Sequence, residues 1–191
     1  THTFACLTGG FTAVTNDFIC GHLQRLQPLL STPDFERWLL DGYFEPEFLQ
    51  GRNRDVWQYL DGVAAADQDM KAEGAARRFL RNLMAIYGDR EHEALNARID
   101  SLTAYFAGQY PGQKDTKDVQ RLKSMCREWE AECIWGYFGW DCSRVLHLRI
   151  GFYTGDIFTP EPTLEKDALP VLGLLNQTEP DVVSVALDPE A

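Results

Sequence analysis

The spacing of apolar residues changes period four times along this 191-residue chain, and those changes limit the folds open to it. Phe4-Ala5-Cys6-Leu7-Thr8 is a short apolar run with β-forming character, broken abruptly by Gly9-Gly10. From residue 15 to residue 115 the apolar positions recur at helical spacing instead. Arg144 to Ile150 then alternates as a strand does, and Asp181 to Leu187 is a nearly continuous apolar run. A run of that kind suits a strand buried on both faces of a parallel sheet. The order predicts an α/β protein with a long helical block between its strands.

Within the block, Thr15-Asn16-Asp17 offers caps to a helix whose positions Phe18, Ile19, His22, Leu23, Leu26, Leu29 and Leu30 share one face. Asp55 to Tyr87 reads as two helices, the second closed by Gly88, and Glu91 to Phe106 as another. A long amphipathic helix is expected from Lys117 to Phe138, stopped by Gly139. Thr163 caps one more, shortened or bent by Pro170 and Gly173. The fold class expected is a Rossmann-like parallel sheet built from residues 2–8, 145–150 and 181–187, with residues 15–115 as a helical insertion.

A net charge of −11 argues against a nucleic-acid partner, because binding a phosphate backbone needs clustered Lys and Arg. Arg77, Arg78 and Arg81 form the local exception and are expected on a solvated helix face among acids. No run approaches the ~18–20 apolar residues of a membrane helix. Cys6, Cys20, Cys126, Cys133 and Cys142 contain no C-x-x-C pair, so they read as reduced thiols, and a cytoplasmic setting is expected. No G-x-G-x-x-G opens a helix, so no dinucleotide site is read. The chain starts with Thr1 directly in a strand and stops just after another at Ala191, which predicts an internal segment of a longer protein.

Four pieces in order suggest a family: Leu7-Thr8-Gly9-Gly10, Arg127-Glu128-Trp129-Glu130, His147-Leu148-Arg149-Ile150-Gly151-Phe152-Tyr153-Thr154-Gly155-Asp156, and Pro180-Asp181-Val182-Val183. Together they resemble the PIG-L/LmbE-like zinc N-deacetylases, and most closely the divergent form found with glucosamine-6-phosphate deaminase-like proteins. The resemblance covers residues 1–14 and 117–191 and leaves the helical block unexplained. It implies hydrolysis of an N-acetyl group on an amino-sugar conjugate. A Zn²⁺ ion would polarise the amide carbonyl and acidify its bound water. The family's metal-ligand motifs would precede Thr1 and follow Ala191. A further strand would lie between residues 2–8 and 181–187; without it two inner sheet edges stay unpaired, and the segment should be unstable or aggregate. Where many members carry Asp in the loop after the third strand, this chain has Thr154, with Asp156 two residues on.

The candidate substrate-binding residues are Thr8, Gly9, Gly10, Arg127 and Asp188. Glycine lets a backbone approach a ligand, and the planar fork of Arg127 suits a substrate oxygen, although a plain ion pair with Glu130 is the competing reading. Asp188 and Glu190 follow the last apolar run, where a carboxylate would stand near the metal. His147, inside an apolar strand, is expected to be a satisfied core residue, and His2, His22 and His92 to be isolated. Of Trp129, Trp135, Tyr137, Phe138 and Trp140, part is expected in the core, and spacing does not decide whether the rest covers the helical block or lines a sugar subsite. Two other functions fit the same residues: an amino-sugar-phosphate isomerase/deaminase-associated binding module, and a noncatalytic interaction domain.

Overall fold

The structure, a computed structural model, describes residues 2–110, 112–151, 159 and 161–186. Two strands, β1 (Phe4–Thr8) and β2 (Val145–Ile150), pair in parallel with Phe4 opposite Val145 and Cys6 opposite His147. Parallel neighbours need a crossover. Here it is α1 (Asn16–Leu30), α2 (Phe35–Leu40), α3 (Leu49–Ala64), α4 (Gln68–Tyr87), α5 (His92–Ala107) and α6 (Lys117–Tyr137). The described chain is therefore α/β and mostly helical, with a small two-stranded parallel sheet.

Local chemistry sets the helix ends. The Thr15 and Thr116 hydroxyls accept from the backbone N–H of Phe18 and Val119, and the Asp67 carboxylate accepts from Asp69 and Met70, satisfying donors that a helix start leaves open. Gly88 ends α4 at φ 76°, a left-handed conformation that costs glycine little. The apolar faces of α1, α4 and α5 then close on one another: Ile19, Leu23 and Leu26 meet Phe79, Leu80 and Leu83, with Leu95, Ile99 and Leu102. Fully burying a side chain such as Leu80 contributes about 1.5–3 kcal/mol. Val119, Leu122 and Cys126 of α6 belong to the same core, so the helical block is continuous with the helix that leads into β2.

Residues 181–186 form no strand; Val182, Val183 and Val185 are 80%, 57% and 62% exposed. This corrects the expected third strand over its described part. An apolar run becomes a strand by pairing, and among the described residues β1 has β2 as its sheet partner and no second. The preceding helix, α7 (Leu169–Thr178), packs on the turn at 164–168 and buries no residue fully. No helix among the described residues is long and apolar enough to cross a membrane.

Candidate functional site

Thr8, Gly9 and Gly10 stand at the carboxyl end of β1, where the first half of α6 passes over them. A Cβ on Gly9 would lie 2.5 Å from Ser124 Oγ, so this approach needs the missing side chain. Gly10 takes φ 59°, and a Cβ there would lie 3.5 Å from Arg127 Cγ. The structure thus brings Thr8, Gly9, Gly10 and Arg127 together at one sheet edge. Arg127 also pairs with Glu130 one turn away, both side chains remaining 47% and 41% exposed. Asp188, Glu190, Thr154 and Asp156 lie outside the described residues.

The same edge holds a feature that the sequence reading missed. The β1–β2 register shifts between Cys6 and Thr8, and opposite the shift Arg149 adopts φ 55°. A left-handed conformation costs a non-glycine residue about 1–3 kcal/mol. Glu128 of α6 holds the Arg149 side chain through two bonds, Nε at 2.6 Å and Nη2 at 3.0 Å. A bidentate, charge-assisted pair of this kind offsets the backbone cost and keeps a second guanidinium at the sheet's carboxyl end. The pairing joins residues 21 apart, and no local spacing signals it.

One turn further along α6, Glu132 is fully buried and bound from three sides. Arg78 of α4 grips it with both terminal nitrogens, one at 2.9 Å, Arg52 of α3 adds a third bond, and His147 Nε2 lies 3.2 Å from Oε1. Burial by itself pushes the Glu132 carboxyl up, but Arg78, His147 and Arg52 together hold it far below the usual carboxylate range. For His147, burial works against the charged ring. The Cys6 thiol and the Glu132 carboxylate as hydrogen-bond partners, with the charges of Glu128 and Glu132, outweigh it and raise the imidazole to about 9. His147 Nδ1 is buried without a hydrogen-bond partner.

A second buried pair flanks the first. Asp55 of α3 receives Arg81 Nε at 3.0 Å and the Tyr43 hydroxyl at 2.7 Å, while Arg81 Nη1 donates to the Tyr43 carbonyl at 2.6 Å. The solvated face expected for Arg77, Arg78 and Arg81 is therefore overturned: Arg78 and Arg81 are 3% and 2% exposed. The reason is tertiary. A Cβ on Gly74 would fall 2.7 Å from the Tyr59 backbone nitrogen, so α3 and α4 approach closely, and the arginines beyond this contact reach acids on α3 and α6.

The four histidines stay apart, and among the described residues no group of three or more His, Cys, Asp and Glu could hold a metal ion. His2 lies against Trp140, His22 stacks on Phe79, His92 meets Phe35, and His147 sits in the charged layer. The residues described do not fit a zinc site. The aromatic cluster divides: Trp135 stacks on Phe4 at 3.5 Å, Trp140 on its edge, and Trp129 packs with Val56, Cys133 and Cys142. Tyr137 and Phe138 are 76% and 65% exposed. No protein family, curated protein or solved structure matches the chain.

Proposed function

We propose that this chain is the substrate-facing part of a Rossmann-like hydrolase that removes an N-acetyl group from an amino-sugar conjugate. In this reading β1 and β2 belong to a larger parallel sheet whose further strands are supplied from outside the described residues. Zinc ligands and a general base also come from outside them, and no step through the metal is assigned to the residues described. The observation that carries the reading is the meeting of the Thr8-Gly9-Gly10 turn with Arg127 at the carboxyl end of parallel strands, the place where open α/β sheets bind ligands. Thr8 supplies a hydroxyl, the glycines supply reachable backbone donors, and the Arg127 fork orients a sugar or acyl oxygen by paired hydrogen bonds. Glu128 and Arg149 fix the edge from the β2 side.

The test is a titration of the chain with methyl N-acetyl-β-glucosaminide, followed through backbone amide shifts. Changes centred on residues 8–10 and 124–127, lost in Arg127→Ala, support the reading. Changes elsewhere, or binding indifferent to that substitution, would overturn it.

A further inference from the structure

A cavity lies away from the sheet, between α2, the 41–48 turn, α3 and α4, and has an open volume of about 450 Å³. That size suits a small-molecule ligand. Trp38, Tyr43 and Phe48 give it aromatic surface, and Arg37, Arg54 and Arg77 bring three guanidiniums against a single acid, Asp41. In a chain of net charge −11 such a grouping is unusual.

The three arginines keep donors to spare. A guanidinium has five N–H groups. Arg37 reaches Asp34 through one terminal nitrogen, in a pair whose side chains are 66% and 53% exposed. Arg77 reaches Glu73 through one terminal nitrogen, and its Nε is buried without a partner. Arg54 has no hydrogen bond or ion pair among the described residues. Arg77 is also pinned by the face of Trp38, its guanidinium carbon 4.4 Å from the ring centroid, so one arm is set in place before any ligand arrives.

We infer that this pocket binds a small organic phosphate with a ring-bearing body. The phosphate supplies the several strong acceptor oxygens that two partly engaged guanidiniums and a third, unengaged one call for. The ring packs on the aromatic wall, where a free inorganic ion would leave Tyr43 and Phe48 without contact. An aryl phosphate and a nucleoside monophosphate share this chemistry. The site is independent of the sheet edge and of the deacetylase reading.

The experiment is calorimetric titration of the full 191-residue chain with phenyl phosphate, adenosine 5′-monophosphate, inorganic phosphate and benzyl alcohol. One-to-one binding of at least one of the two esters, tighter than inorganic phosphate or benzyl alcohol, is expected; which ester binds tighter identifies the preferred body. Arg54→Gln should weaken that binding about tenfold, the loss of one charged donor from a shared anion, and added salt should weaken it further. Arg77→Gln should weaken it at least as much. If that variant fails to fold, the exposed and unpartnered Arg54 still decides the matter. Equal binding of benzyl alcohol, no binding of either ester, or affinity unchanged in Arg54→Gln would overturn the inference.

Discussion

Two histidines, each on a different packing surface of the same molecule, are shifted in opposite directions although burial disfavours the charged ring in both. His22 lies in the apolar core against Phe79, where loss of water and the nearby Arg25 charge lower its pKa to about 4. His147 lies where the sheet meets α6, beside Glu132, and is raised to about 9. The helix α6 serves both surfaces: Val119, Leu122 and Cys126 enter the apolar core, and Glu128 and Glu132 enter the charged layer. Burial therefore does not fix what a polar group costs here; the partner facing it does. The apolar core depends on shape and area, and the charged layer depends on every member being present.

The largest expected effect follows from that dependence. Glu132→Ala strands Arg78 in a buried site and takes the partner of the half-buried Arg52, and removing one partner of a buried pair costs about 3–5 kcal/mol. Leu80→Ala, in the apolar core, should cost about 2–5 kcal/mol through lost transfer and a cavity. The sharper contrast is in repair. Glu132→Leu combined with Arg78→Met should recover much of the loss from Glu132→Ala, because a buried pair is replaceable by apolar groups of similar volume, provided that Arg52 swings out to water. Urea unfolding of the three variants measures this, and a double variant no better than Glu132→Ala would show that the charged layer cannot be exchanged for apolar packing.

The pH dependence is a smaller effect with a definite sign. His147 has its folded pKa raised above the ordinary 6.5, so its contribution is complete below pH 6.5 and disappears as pH rises towards about 9. His22 has its folded pKa lowered, so its contribution is complete above 6.5 and disappears as pH falls towards about 4. From these two groups stability peaks near pH 6.5. His147→Gln should flatten the alkaline limb and leave the acid limb, and His22→Gln should do the reverse. Thermal unfolding from pH 4 to pH 9 checks both, and a limb that survives its own substitution would break the comparison.

The apolar core was legible because it is local. The period of Ile19, Leu23 and Leu26, the Thr15 and Thr116 caps, and Gly88 each announce a helix or its end within a few residues. The end of β1 at Thr8 was announced by Gly9-Gly10, whereas the approach of those glycines to Arg127 is a long-range contact that no local spacing signals. The charged layer was not legible, since Arg78 and Glu132 are 54 residues apart and an arginine among acids reads the same on a wet face as in a dry one. Arg149 likewise gives no sequence sign of its positive φ, which the register shift imposes. The run at 181–186 misled for a different reason: strand character in a sequence is half of a strand, and the other half is an edge to pair with.

That run supplies the smallest effect and a third term for the comparison. Val182 is 80% exposed, so it belongs to neither the apolar core nor the charged layer. Val182→Lys should change the stability of the 191-residue chain by no more than about 0.5 kcal/mol, as surface substitutions do. Denaturant unfolding with and without Val182→Lys checks this, and a loss well above that amount would show that the run is packed rather than facing solvent.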